Sequence, residues 1–250
     1  MKWLAICLMA GGMAGCASEP GQHFDAAHAE AVAKARTELA AAYYARAQYS
    51  VALEELAKAL HADSDYAPAY NVRALVHMAL REDAQAEDDF KRSLNIEPGN
   101  SDAHNNYGWF LCQHGREREG VKHFLSAASD PLYTTPGKAY LNAGVCSQKI
   151  GAMSDAGMYL QRALVLQPDQ PEALVGLAEV AFVSGDYADA QSYFGRFEKV
   201  SSAPLTAGNL FMAVRIEHKL GNRNAESGYA MRLKKNFPES REAKLLGQIR

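Results

Sequence analysis

Small and large apolar positions return along this chain at a nearly fixed interval. Ala40, Ala74, Gly108, Gly144, Ala178 and Val214 form one column, with steps of 34, 34, 36, 34 and 36 residues. A second column, Ala52, Ala86, Gly120, Ala156, Ala190 and Glu226, follows the first by twelve residues each time. A third column of larger side chains runs Leu56, Phe90, Phe124, Leu160, Phe194 and Ala230. Self-similarity at such a period predicts an array of one supersecondary unit, each copy burying its apolar face against its neighbours. The last copy is degenerate, with Val214 and Glu226 where small residues stand elsewhere, as suits a terminal capping unit. Pro98, Pro168 and Pro238 close alternate units.

The pattern resembles the tetratricopeptide repeat, which sets an aromatic residue, a Leu-Gly pair, Tyr, Ala, Phe, Ala and Pro along two helices, A and B. The stretch AYNVRALVHMALREDAQAEDDFKRSLNIEPGN (69–100) carries most of it. The small columns let helices A and B approach closely, and the large column fills the space between successive hairpins. Gly115, Gly151, Gly185 and Gly221 fall between the two helices of their units, where a left-handed cap suits glycine. The expected fold is all-α: a right-handed superhelical solenoid of six helix hairpins plus a C-terminal helix. The hairpins are expected at 33–66, 67–100, 101–136, 137–170, 171–206 and 207–240, and the final helix at 241–250.

The front of the chain follows a different pattern. In MKWLAICLMAGGMAGC, Lys2 precedes an apolar run and Ala14-Gly15-Cys16 offers small residues for cleavage, so residues 1–15 read as an export signal, too short to span a bilayer. The site resembles the lipobox of bacterial lipoproteins, with Met13 where Leu is usual. An ordinary secretory signal with an incidental cysteine is the alternative. The resemblance implies a diacylglycerol on Cys16, and Ala17 in place of Asp implies outer-membrane sorting by the rule for enterobacterial lipoproteins. Residues 16–32 are then a lipidated tether and lead-in. Two or three acyl chains, at roughly 0.8 kcal/mol per buried methylene, hold such a protein to a bilayer firmly.

Composition narrows the remaining classes. The chain has 250 residues, 48% of them hydrophobic, enough for a substantial core. Loss of Lys2 leaves 25 of the 26 basic residues against 29 acidic ones, about −4, which argues against nucleic acid as a partner. Of four cysteines, Cys7 leaves with the signal and Cys16 takes lipid, so Cys112 and Cys146 remain. In an oxidising compartment the two invite a disulfide. They fall at nearly matching heights on the A helices of adjacent repeats, within reach of a bridge. Two buried free thiols are the alternative.

Chemistry for catalysis is thin. HExxH, GxSxG and CxxC are all absent. TTPGKAY contains Gly-Lys, but Leu132 stands where a phosphate loop has its first glycine, and Ala139 follows the lysine in place of Ser or Thr. His104, His114 and His123 share one repeat without the spacing of a ligand pair on one helical face. No enzyme activity, metal, cofactor or small-molecule substrate is expected. The side chains that invite a binding role lie along helix A. In NNYGWFLC (105–112), Asn106, Tyr107 and Gly108 match scaffold positions of the repeat, whereas Asn105, Trp109 and Cys112 share a stripe that this architecture turns to the concave side. The equivalent residues are Thr37, Ala41, Tyr44 and Ala45 in the first unit and Asn71, Leu75, Met78 and Ala79 in the second. Aromatic, aliphatic and amide side chains in such a row suggest a peptide-binding groove, formed by Thr37, Ala41, Tyr44, Asn71, Leu75, Met78, Asn105 and Trp109.

Taken whole, the chain resembles the type IV pilus biogenesis lipoproteins of the PilF/PilW family. The similarity is most specific over 105–146, with NNYGWFLC, the two-residue insertion in the third repeat, the Tyr133 loop, Leu141-Asn142-Ala143-Gly144 and both cysteines. That resemblance implies a pilotin, which brings the pilus secretin to the outer membrane and supports its multimerisation, lipid-anchored and facing the periplasm. A general periplasmic adaptor that scaffolds cell-wall hydrolases shares the signal, lipid and groove. The central insertion with its paired cysteines favours the pilotin.

Overall fold

A computed structural model describes residues 20–249 of the chain. The expected signal 1–15, the expected lipidation site Cys16 and the start of the expected tether lie outside the described residues. Within them the chain is an all-α solenoid of six hairpins: α1 (Pro20–Ala45) with α2 (Tyr49–Ala62), α3 (Ala67–Leu80) with α4 (Asp83–Ile96), α5 (Ser101–Gln113) with α6 (Glu117–Ser129), α7 (Pro136–Lys149) with α8 (Met153–Leu166), α9 (Pro171–Ser184) with α10 (Tyr187–Val200), and α11 (Ala207–Lys219) with α12 (Arg223–Asn236). A short α13 (Arg241–Leu245) and one 3-10 turn (Leu246–Gln248) follow.

Local sequence fixes where the helices begin and end. Proline occupies the first turn of α3, α7 and α9, where its missing N–H costs nothing. The Asn100 side chain accepts from the Ala103 N–H to cap α5 (2.9 Å), and Thr206 forms a capping box with Asn209 at α11. Between A and B helices the chain turns through a left-handed residue at one register in every hairpin. Gly115, Gly151, Gly185 and Gly221 supply it with φ of 72 to 88°, as their spacing suggests, but Ala47 (56°) and Arg81 (62°) do the same in the first two units.

The three columns are the core. Ala40, Ala74, Gly108, Gly144, Ala178 and Val214 are buried, as are Leu56, Phe90, Phe124, Leu160 and Phe194. The approach is close in the third and fourth hairpins: a Cβ on Gly120 would stand 2.6 Å from the Gly108 carbonyl oxygen, one on Gly108 would stand 2.9 Å from the Phe124 ring, and one on Gly144 would stand 2.6 Å from the Leu160 side chain. Each A helix touches the next A helix (α1 with α3, then on to α5, α7, α9 and α11), whereas B helices reach the next hairpin through its A helix. The layer in which consecutive helices meet is the inside of the curve, so the A helices form the inner face.

Two boundaries differ from expectation. The lead-in 20–32 is helical, since α1 runs back to Pro20, with Pro20 in its first turn and Ala26, Ala27, Ala29 and Ala31 along it. The final helix is also shorter than 241–250, stopping at Leu245 before the 3-10 turn.

Candidate functional site

Along α1, α3 and α5 the inner-face residues recur at spacings of four and three, which keeps them on one stripe. Their surroundings divide them into two sets. Thr37, Asn71 and Asn105 are only 5, 6 and 3% exposed. The Thr37 hydroxyl donates to the Ala33 carbonyl (2.8 Å). The Asn71 side-chain carbonyl accepts from the Asn106 amide (3.2 Å), and that of Asn105 accepts from the Asn142 amide (3.0 Å). These two bonds are rungs between consecutive A helices, so the asparagines hold the stack together and are covered from any ligand. The expected contact set narrows to Ala41, Tyr44, Leu75, Met78 and Trp109, all partly exposed.

Tyr44, Leu75, Met78 and Trp109 each sit on a supporting cluster. Tyr44 rests against the first core cluster, its ring 6.0 Å from that of Tyr49. Burial, with Tyr49 beside it, pushes its phenol above the ordinary value, so the hydroxyl stays a neutral donor. Leu75 and Met78 pack on Ala74, Phe90, Tyr107, Phe110 and Leu111. Trp109 packs on Cys112, Phe124, Ala143 and Cys146. The structure pairs Cys112 with Cys146 across α5 and α7, their Cα atoms 5.9 Å apart. Lys149 adds a bond from its ammonium to the Cys112 carbonyl (2.8 Å).

Tyr107 belongs to the scaffold, as its repeat position implies. Its hydroxyl donates to Glu87 (3.0 Å), which also meets Arg116 (2.7 Å) and Lys91 (2.8 Å). Lys91 and Arg116 hold the Glu87 carboxyl down at about 2, while burial and then Glu87 push the Tyr107 phenol up to about 12.

Sequence reasoning missed the far end of the inner face. Phe182 on α9 and Phe211, Arg215, His218 and Lys219 on α11 line a cavity of about 340 Å³, closed on one side by Leu245, Gln248 and Ile249. The helix A stripe of Thr37, Ala41 and Tyr44, carried by the repeat period into the fifth and sixth units, leads to Phe182, Phe211, Arg215 and His218. Among the described residues, no group of three or more His, Cys, Asp or Glu is placed to hold a metal ion.

Residues 90–122 match the tetratricopeptide repeat family. The type IV pilus assembly protein PilF of Pseudomonas aeruginosa is 27% identical over 240 residues, covering 95% of this chain and 94% of PilF. The crystal structure of PilW, a widely conserved type IV pilus biogenesis factor, superposes with a TM-score of 0.77 at 35% identity, over 86% of this chain and 98% of PilW. A structure of Pseudomonas aeruginosa PilF superposes with a TM-score of 0.83 at 25% identity, over 89% of this chain and all of that one.

Proposed function

Because the chain belongs to the PilF/PilW family of tetratricopeptide-repeat type IV pilus biogenesis proteins, we propose that it is a pilotin, anchored in the outer membrane through lipidated Cys16 and facing the periplasm. It binds the pilus secretin in the groove of α1, α3 and α5 and supports secretin multimer assembly, and through it pilus formation. The observation that carries this reading is the row of partly exposed Ala41, Tyr44, Leu75, Met78 and Trp109 on three consecutive A helices. A solenoid gives such side chains no third layer to cover them. Burying one large apolar side chain contributes roughly 1.5 to 3 kcal/mol, so two or three anchors support micromolar binding after the costs of association. The groove residues carry no cation, so the fitting segment of secretin is apolar or amphipathic. The Cys112 to Cys146 bridge forms in the periplasm and locks the third repeat to the fourth beside the groove.

The test is the double substitution Tyr44→Ala with Met78→Ala. It removes two anchors while leaving the buried columns intact, and secretin binding should weaken about 10- to 100-fold. Secretin multimers should fall in cells, with helical content and outer-membrane location unchanged. Cys16→Ser gives the complementary result, a folded protein free in the periplasm that still binds secretin. Normal multimers in cells carrying the double variant at wild-type abundance would remove the groove from the account.

A further inference from the structure

The inner face changes character along its length. Its first three A helices offer aliphatic and aromatic groups without a cation, whereas the cavity between α9, α11 and the C-terminal turn is aromatic and cationic. The Arg215 guanidinium carbon lies 4.2 Å from the centre of the Phe182 ring and 6.0 Å from that of Phe211. A guanidinium held over an aromatic ring keeps N–H donors available for a carboxylate, a combination arginine uses widely in recognition. Lys219 stands one helical turn further along α11, on the same wall.

The charges around the cavity are unevenly satisfied. His218 is held by Glu226 (3.0 Å), Arg223 pairs with the same carboxylate (3.1 Å), and Arg232 lies near Glu198 (3.8 Å). Glu217 is taken up by Gln191 (2.8 Å) and Asn222 (2.7 Å). Arg215 and Lys219 make no ion pair with any carboxylate among the described residues. Two cations without a counter-charge among the described residues, beside two aromatic rings, are complementary to an acidic side chain next to an apolar one. A volume of about 340 Å³ admits one or two side chains. The row of A helices continues from α5 through α7 and α9 to α11, so a chain-like ligand can run along it.

We infer that the cavity of Phe182, Phe211, Arg215 and Lys219 is a second docking site, for an acidic peptide segment of a partner protein in which Asp or Glu neighbours an apolar residue. Arg215 takes the carboxylate at its edge, Lys219 supplies the second charge, and the rings with Leu245 and Ile249 receive the apolar neighbour. This site lies at the opposite end of the inner face from the proposed secretin groove and does not depend on that assignment.

The experiment uses the mature full-length chain and a short blocked peptide alternating glutamate with leucine, with a glutamine-for-glutamate control, followed by calorimetry. The acidic peptide should bind about tenfold more tightly than its control, a difference that shrinks several-fold as salt rises from roughly 50 to 500 mM. Arg215→Gln and Lys219→Gln should each remove most of that difference, and Arg215→Lys should retain part of it. Tyr44→Ala with Met78→Ala should leave it untouched, which separates failure here from failure of the secretin groove. If loss of the Phe182 stack unfolds Arg215→Gln, as thermal melting would reveal, the exposed Lys219→Gln carries the test alone. Equal binding of both peptides, no binding of the acidic peptide at millimolar concentration, or full binding by the folded variants would overturn the inference. So would binding to phosphatidylglycerol vesicles in place of the peptide, or a dimer that the Arg215 and Lys219 variants abolish.

Discussion

Arg81 occupies the left-handed turn that glycine fills in four of the other hairpins, at φ 62°. A side chain there crowds its own backbone, and Arg81 makes no ion pair among the described residues to compensate. Arg81→Gly should therefore stabilise the protein by about 1 kcal/mol, read as a higher urea midpoint. A lower midpoint would mean that the arginine contributes contacts outweighing its strain. His123 provides a second prediction. Its Nδ1 lies 2.8 Å from Nδ1 of His104, with the Tyr107 ring edge-on at 4.8 Å. Burial, and then His104, lower its value to about 4, against the opposing pull of Glu119. The unfolded chain thus binds the proton more readily than the fold, and stability held above pH 6.5 is lost as pH falls toward 4. Wild type should lose on the order of 1 kcal/mol more than His123→Gln between pH 7 and pH 5 in urea titrations, well above the range where Glu87 takes up its proton. Parallel losses in the two proteins would show that another group dominates that window. The glycine turns were legible because four of them share a register. Arg81 and Ala47 were not, since nothing in an arginine or alanine announces a positive φ. Asn71 and Asn105 look like ligand contacts in a single helix, and their real partners stand 35 and 37 residues away on the next one.

At the scale of the element, the third hairpin brings the backbones of its two helices together through glycine on both sides. The Gly120 Cα faces the Gly108 carbonyl with no room for a methyl group. Gly120→Ala gains helix propensity yet must push α5 and α6 apart, and it should destabilise by about 1 to 3 kcal/mol. Gly195, on the open side of α10, is the control: a Cβ there would meet nothing within 4 Å, so Gly195→Ala should be neutral or stabilising. Thermal melts of the two variants decide it, and equal melting temperatures would mean that the crossing relaxes freely. This contact was readable in the sequence, because both glycines fall in the small columns. The extent of α1 was not. Residues 20–32 lie outside the repeat period, and only their alanine content, a weak local preference, speaks for a helix there.

For the molecule as a whole, the period revealed the hairpin count, the core and the inner face, because a solenoid repeats its packing and each copy reports on the others. It said little about what closes the array. The C-terminal turn shapes the cavity beside Arg215 through Leu245, Gln248 and Ile249, and these residues belong to no column. The tie between Cys112 and Cys146 bears on a different property, the mechanical length of the molecule. The two cysteines are 34 residues apart in sequence and 5.9 Å apart in space, at the middle of the array. Pulled from its ends, an oxidised chain hands tension from α5 directly to α7, and the segment between them, α6 included, stays slack. At about 3.3 to 3.6 Å per residue the reduced protein should extend roughly 110 Å further than the oxidised one in optical tweezers. Equal contour lengths with and without reductant would mean that the thiols are free. A bonded chain has its stretch limited at the centre, so under load it gives way first in its outer hairpins, and the helices at either end become its compliant parts.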